Sequence, residues 1–258
     1  MEYIRTGWYE NDIGRIEFKA TGPLYLSTID TTGVSVDDDS EELAGSAGAA
    51  AGSLRTRSRI IPATFTLEDL GRIDKDHLLA VLSPLMYGTL TIRGEKDEYK
   101  IDCRPEEMAV FSRNQNVPYL WSFSVDFHAD YPFWRRGMER SITAHAGEGT
   151  VYFQSKTIPG TPCIVEVPEG VNGRVVVNDR GFTVIGDHPD LIIDSRMVTV
   201  KDRQGNSQNS AIWQFATEPI NKLFVNYGRN SILFSPSGAS GGDEEITVRW
   251  YEEAWGVI

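Results

Sequence analysis

The chain has 258 residues, a length expected for one or two domains. Its net charge of −12 and pI of about 4.8 argue against a dedicated nucleic-acid-binding protein, because such proteins neutralise phosphates with lysine and arginine. Two cysteines exclude a disulfide framework, and the N-terminus shows neither a signal-peptide core nor a membrane-spanning run, so we expect synthesis in a cytoplasm without export.

The chain begins with strand signals and then changes character. Gly7–Phe18 mixes aromatic residues with turn residues, and Leu24–Ile29 follows as a second strand. From Asp37 to Arg59 the composition shifts to acidic residues, then to small residues, and finally to three arginines. Strand signals resume at Ile60–Leu67, so this segment is predicted to be the tip of a long hairpin.

We call Asp37–Arg59 the arm. Loops of this length inside a compact domain are uncommon unless they are functional or disordered. We expect an arm that is mobile in the monomer and becomes ordered on a neighbouring molecule, through ion pairs across the interface; a solvated loop is the alternative interpretation. The candidate interface residues are Asp37, Asp38, Asp39, Arg55, Arg57 and Arg59.

The rest of the first domain is predicted to contain one helix and a hairpin. Asp74 is a suitable N-cap for a short helix that ends by Leu82 or Met86. Alternation at Leu90 and Ile92, a polar turn, and alternation from Tyr99 to Cys103 then predict the hairpin.

An aromatic strand closes this domain. Apolar residues occupy alternate positions from Tyr119 to Phe127, and Pro132 ends the strand because it lacks an N–H group. Phe133 and Trp134 follow and are predicted to be a structural plug at the bottom of the core. Arg135–Ser141 is interpreted as a polar connector, which gives domains at residues 1–135 and 136–258.

The second domain consists almost entirely of strand signals separated by short Gly, Asn and Asp turns, which is typical of an all-β sandwich. Ten strands are predicted, at Val151–Phe153, Cys163–Val167, Arg174–Val177, Phe182–Ile185, Leu191–Ile193, Met197–Val200, Ile212–Phe215, Leu223–Val225, Ile232–Phe234 and Ile246–Tyr251.

No catalytic or metal site is predicted. Residues 238–242 match the nucleophile motif G-x-S-x-G, but no histidine follows His188 and a strand rather than a helix comes next, so a glycine-rich loop is favoured. The four histidines lack metal-ligand spacing, and Cys103 and Cys163 are interpreted as core residues. Three tryptophans could stack on sugars but are more typical of a core: Trp213, Trp250 and Trp255.

The chain resembles the distal tail proteins of long-tailed, non-contractile (siphovirus-type) bacteriophages and prophages. In the first domain the resemblance rests on HLLAVLSPLMYGTLTIRGEKDEYKIDCRP and on the strand that ends in DYPFW. In the second it rests on LIIDSRMVTVKDRQGNSQNS, NYGRNSILF and the closing ITVRWYEEAWGVI. It covers nearly the whole chain except the arm.

This resemblance implies a mainly β fold with two parts. The N-terminal part would be a ring-forming β domain with one helix, and the C-terminal part a galectin-like β-sandwich carried outside the ring. It further implies a non-enzymatic hexameric ring at the distal tip of the virion tail. The ring would join the tail tube to the tip hub, contact the tape-measure protein and leave a channel for DNA.

Two other functions remain as alternatives. The main one is a glycan-binding protein, in which the second domain recognises a host-surface sugar. An esterase built on Ser240 is a distant third. No cofactor, metal or membrane partner is expected.

Overall fold

The computed structural model describes residues 6–19, 22–34, 36–38, 41–42, 49–50, 54–68, 73–94, 96–213, 220, 223–237 and 244–257, and of residues 36–56 and 213 only the backbone. The chain divides into two compact units: unit 1 is Met1–Arg136 with Ala254–Ile258, and unit 2 is Gly137–Glu253. The last five residues, which the sequence placed in the second domain, therefore belong to unit 1. The predicted fold class is confirmed: the described residues are mainly β, with one α-helix.

In its described residues, unit 1 contains twelve strands and a helix, α1, and the start of a thirteenth strand. Their bounds are β1 Gly7–Asn11, β2 Gly14–Phe18, β3 Leu24–Ile29, β4 Val36–Asp38, β5 Glu41–Glu42, β6 Ala49–Ala50, β7 Leu54–Thr56, β8 Arg59–Glu68, α1 Lys75–Val81, β9 Gly88–Arg93, β10 Glu98–Pro105, β11 Ser112–Arg113, β12 Leu120–Ala129 and β13 Trp134–His145.

Two antiparallel sheets and the helix enclose the core of unit 1. One sheet has the order β2-β1-β9-β10, with the first residues of β13 next to β10. In the other, β8 lies between β3 and β12, and β12 also pairs with β11 and with the end of β10. Phe65, Phe123 and Phe127 point from β8 and β12 into this core, as expected where alternate residues share one face.

The helix is short and capped as predicted. The side chain of Asp74 accepts hydrogen bonds from the backbone N–H groups of Asp76 and His77, each at 3.1 Å. These bonds satisfy donors that a helix N-terminus leaves unpaired. Leu78 and Val81 are buried and hold the helix on the core.

Unit 2 is a β-sandwich. Beyond the later part of β13, its strands are β14 Thr150–Ser155, β15 Thr161–Pro162, β16 Ile164–Val167, β17 Gly173–Val177, β18 Arg180–Val184, β19 Leu191–Asp194, β20 Thr199–Asp202, β21 Ile212–Trp213, β22 Phe224–Val225, β23 Gly228–Pro236 and β24 Glu245–Ala254. One sheet has the order β13-β24-β16-β19-β20, the other β14-β23-β17-β18-β21, and β15 pairs with β22.

The inner faces of the two sheets share one core. Val165, Ile193 and Val248 come from the first sheet, and Val175 and Phe234 from the second. Nine of the ten predicted strands are found with small shifts of their ends, and the tenth, Ile212–Phe215, is found at Ile212–Trp213, with its last two residues outside the described part of the chain. The chain passes from unit 1 to unit 2 at Arg136/Gly137, inside the segment Arg135–Ser141 that was interpreted as a polar connector. This segment is part of strand β13.

Candidate assembly surfaces

The exposed side of the β3-β8-β12 sheet in unit 1 is covered by hydroxyl groups. Ser124 lies opposite Thr64, and Ser122 lies opposite Thr66. The Thr64 and Ser124 hydroxyl oxygens are 3.2 Å apart, and those of Ser27 and Thr66 are 2.6 Å apart. We call these five residues the hydroxyl face. Because the alternate residues of β8 and β12 fill the core, this face is turned to solvent.

The charge on this face is acidic or neutral. On the described strands β3, β8 and β12 no outward side chain is lysine or arginine, whereas Glu68 and Asp126 are exposed at its ends. A groove of about 390 Å³ runs beside Ser122 and Ser124 and is also lined by Glu106 and Glu107. The five residues of the hydroxyl face therefore carry no cation that would bind a phosphate. Arg104 on β10 lies beyond them, opposite His128.

His128 fixes the carboxylates at one end of this face. Its two ring nitrogens lie 3.1 Å from a Glu106 oxygen and 3.2 Å from an Asp130 oxygen. The Tyr87 hydroxyl donates to the other Asp130 oxygen at 2.5 Å. This cluster ties the segment after β10 to the end of β12.

The arm forms a hairpin in its backbone, as predicted. β4 pairs with β7, with Asp37 opposite Arg55 and Asp38 opposite Leu54. Farther out, β5 pairs with β6, with Glu41 opposite Ala50. Asp39 lies outside the described residues.

Of the three predicted arm arginines, two have described side chains, and they differ in exposure. Arg57 is exposed, whereas Arg59 is 1% exposed. The Arg59 side chain donates from Nε to the Gly33 carbonyl at 3.1 Å and from Nη2 to the Trp255 carbonyl at 2.5 Å. Burial lowers the pKa of Arg59 to about 10, although the negative charge of Asp30 opposes this shift. Arg59 thus remains protonated at neutral pH and holds parts of unit 1 together.

The C-terminal segment shares this contact. Val257 is buried in the core of unit 1, and a Cβ atom added to Gly256 would lie 2.8 Å from the Thr31 carbonyl oxygen. Asp30 sits next to this point; its pKa is lowered chiefly by the hydrogen bond from the Thr32 backbone N–H. We call Arg59 with the Gly33 and Trp255 carbonyls the clasp. The clasp was not predicted, because composition alone predicts an exposed arginine at this place.

The predicted plug lies where the aromatic strand ends. Pro132 is buried, and Trp134 is fully buried within the core of unit 1. Phe133 is half-buried, and its ring packs edge-on against Tyr131 and Trp255 at centroid distances of 5.3 and 4.9 Å. Trp134 therefore lies in the core, whereas Phe133 is only half-buried and packs against two aromatic rings.

The other candidate residues are described by their burial. Cys103 and Cys163 are buried free thiols, and burial raises the pKa of both. Trp250 is in the core of unit 2, Trp255 is half exposed in unit 1, and the Trp213 side chain and the G-x-S-x-G segment lie outside what is described. Among the described residues no three His, Cys, Asp or Glu side chains are grouped to hold a metal ion. No helix in that part of the chain could cross a membrane.

Solved structures share the fold of this chain. The Dit protein (gp 19.1) of phage SPP1 superposes with a TM-score of 0.65 at 10% identity, over 98% of this chain and 100% of that chain. The chain has the fold of that Dit protein. SPP1 Dit is described as a paradigm of the hub adsorption apparatus in phages that infect Gram-positive bacteria.

Two baseplate structures of phage p2 show the same fold. Chains of the activated baseplate with Ca and with Sr match at TM-scores of 0.50 and 0.51 and at 8% and 10% identity. They cover 96% and 99% of this chain and 98% and 100% of their own. No family model and no curated protein matches the sequence. The likeness to distal tail proteins proposed from the sequence is thus confirmed at the level of the fold.

Proposed function

We propose that this chain is a non-enzymatic structural component of a phage tail tip. It forms a hexameric ring that joins the tail tube to the tip hub and leaves a channel for DNA. The observation that supports this most is the fold shared with SPP1 Dit over essentially the full length of both chains. The protein is synthesised in the bacterial host cytoplasm and ends in the distal tip of the virion tail. Its partners are further copies of itself and the tail tube, tape-measure and hub proteins.

Unit 1, predicted as the ring-forming domain, supplies a strand edge for this assembly. In the described residues β3 pairs with β8 alone. Unpaired strand edges join other chains through backbone hydrogen bonds, and head-to-tail contacts of this kind close into rings. Unit 2 is proposed as the galectin-like domain.

The hydroxyl face is proposed to line the channel. A channel wall must be wetted without retaining the DNA backbone, and association with DNA depends on lysine and arginine contacts to phosphates. Serine and threonine hydroxyls with acidic residues at the margins meet both requirements. The observed hydroxyl pairs also fix these side chains on the sheet.

The arm is proposed to adjust assembly rather than drive it. In the sequence of the arm, Asp37, Asp38 and Asp39 precede the small residues and Arg55 and Arg57 follow them, and these opposite charges are proposed to meet those of a neighbouring copy. Exposed pairs of this kind contribute only ~0–1 kcal/mol each. Arg59 differs from them, because its side chain is already held in the clasp.

Native mass spectrometry tests the ring. We expect a species of six copies of the 28.8 kDa chain, alone at high concentration or together with tail tube or hub protein. Deletion of Glu42–Ser53, compared with the wild type across a salt series, should weaken this species. Monomers alone, even with both partners added, would reject the ring.

The channel assignment has a separate test on assembled rings. Ser124→Lys, placed on the hydroxyl face, should make rings retain duplex DNA in a filter assay, whereas the wild type does not. Gln204→Lys adds the same charge at an exposed turn of unit 2 and should not retain DNA. Equal retention by both variants would count against the assignment.

A further inference from the structure

The exposed face of the β14-β23-β17-β18-β21 sheet in unit 2 differs in charge from the rest of the chain. The whole chain has 37 acidic and 25 basic residues. The charged residues on these five strands are Arg174, Arg180 and Arg229, with no Asp or Glu. Arg174 and Arg229 are both exposed. A basic face on an acidic protein can attract an anionic partner.

Arg229 is at the centre of a small group of side chains on β14 and β23. Its guanidinium carbon lies 3.9 Å from the centroid of the Tyr152 ring, and Tyr152 is 57% exposed. Gln154 lies opposite Arg229 in the pairing, and Ser231 lies opposite Tyr152. Because residues that face each other across strands share one side of a sheet, these four side chains form one surface.

The state of Arg229 contrasts with that of other arginines in unit 2. Arg249 donates to Glu139 at 2.7 Å and to Glu166 at 2.6 Å, and these two carboxylates raise its pKa against the effect of burial. Arg203 pairs with Asp190 at 3.1 Å. Among the described residues Arg229 has no carboxylate partner. The stack on Tyr152 holds its plane and leaves its edge N–H groups for a ligand.

We propose that Tyr152, Gln154, Arg229 and Ser231 form a binding site for an acidic sugar unit of an anionic polysaccharide. The guanidinium receives the carboxylate or phosphate of the unit in the planar, two-bond geometry that arginine favours. Ser231 and Gln154 bond to sugar hydroxyls, and the exposed part of the Tyr152 ring packs on the C–H groups of the sugar.

A second position explains why a polymer fits better than a single sugar. Arg174 lies opposite Ser235 on β23, six residues along the strand from Arg229. At about 3.4 Å per residue this places the two arginine positions roughly 20 Å apart on one face. Repeated acidic groups along a glycan chain can meet both positions. An acidic protein would use the two charges but would gain little from the tyrosine, amide and hydroxyl groups between them.

The full-length protein tests the site, independently of ring assembly. Binding is measured by calorimetry at low salt with oligogalacturonate as a carboxylate polymer and poly(glycerol phosphate) as a phosphate polymer. Neutral dextran and poly-glutamate are the comparison probes. We expect binding to oligogalacturonate, none to dextran, and weaker binding to poly-glutamate and to poly(glycerol phosphate), which carries anionic groups but no sugar ring. Binding to poly-glutamate that equals or exceeds binding to the glycans would instead identify an acidic protein as the partner and overturn the proposal.

Matched variants separate a site from general charge attraction. Arg229→Gln should weaken binding about tenfold to a hundredfold, the range for a charge-assisted hydrogen-bond pair. Arg203→Gln removes the same charge from the turn after β20 and should leave the affinity within about twofold. Tyr152→Phe should bind as the wild type, and Tyr152→Ala should bind less well. No binding to any anionic glycan, or equal losses in Arg229→Gln and Arg203→Gln, would overturn the proposal.

Discussion

Trp134 offers the sharpest test of what holds unit 1 together. It is fully buried, and its indole Nε1 has no hydrogen-bond partner among the described residues. Replacing a buried Trp by Ala costs about 3–5 kcal/mol. Since domains are stable by only about 5–15 kcal/mol, Trp134→Ala should remove a large part of the stability of unit 1.

A Trp134→Phe variant separates the effect of ring volume from that of the unpartnered N–H group. A buried polar group without a partner costs roughly 1–3 kcal/mol, and phenylalanine lacks that N–H group. This gain offsets part of the loss of ring volume, so the net cost should stay below about 1.5 kcal/mol. Phe133→Ala should also cost less than Trp134→Ala, because Phe133 is only half-buried.

Urea unfolding combined with hydrogen exchange measures these effects. In Trp134→Ala the amides of β8 and β9 should lose protection, whereas those of β17 and β23 in unit 2 should keep it. Trp255→Ala, at a residue that is 50% exposed, is the control for loss of an indole. An unchanged urea midpoint in Trp134→Ala, or an equal loss in Trp134→Phe, would refute the argument.

Two further predictions concern single groups. Gly256→Ala should destabilise unit 1 by about 1–3 kcal/mol in urea unfolding, because its Cβ would meet the Thr31 carbonyl oxygen at 2.8 Å. Gly22→Ala is the control. Its Cβ would have its nearest atom 3.9 Å away, so the stability should change by less than about 0.5 kcal/mol. Burial raises the pKa of Cys163 to about 12 and also raises that of Cys103. At pH 8, therefore, neither thiol should react with iodoacetamide until urea unfolds the chain. Labelling of either thiol in the folded protein would contradict this prediction.

Side-chain periodicity predicted the parts of the fold that depend on one buried face. β8 from Ala63 and β12 from Trp121 alternate apolar and polar residues, so the face that each strand turns to the core could be predicted directly. The N-cap of α1 was equally readable, because Asp74 precedes an apolar helical stripe. These features are local in the chain.

The features that the sequence did not predict depend on distant partners. Between its buried residues Trp134 and Ala144, β13 carries Arg136, Glu139 and Arg140 and lacks the alternating apolar residues that indicate a strand. These charges are tolerated because carboxylates and arginines of other strands face them, as Arg249 faces Glu139 at 2.7 Å. Likewise, nothing near Val257 indicates which of the two cores will bury it.

The sequence identified the arm as a candidate site but did not show that its arginines differ in burial. Charge composition places Arg55, Arg57 and Arg59 in one group. Only the fold shows that Arg59 starts a buried strand, where the backbone carbonyls of Gly33 and Trp255 replace water around its guanidinium. Such a partner set cannot be read from spacing, because carbonyl groups occur at every residue.

The position of the clasp determines how experiments on the arm must be designed. Gly33 precedes the first arm strand by three residues, and Arg59 follows the last one by three, so the clasp joins both ends of the hairpin to the C-terminal segment. A change at Arg59 would remove the donor to the Gly33 and Trp255 carbonyls and would also remove a side chain that is 1% exposed in unit 1. Weaker assembly of an Arg59 variant would therefore report damage to unit 1 as much as loss of an interface. Substitution of Arg55 or Arg57 leaves the clasp in place, and these variants are the ones that can show whether the arm contacts a neighbouring copy.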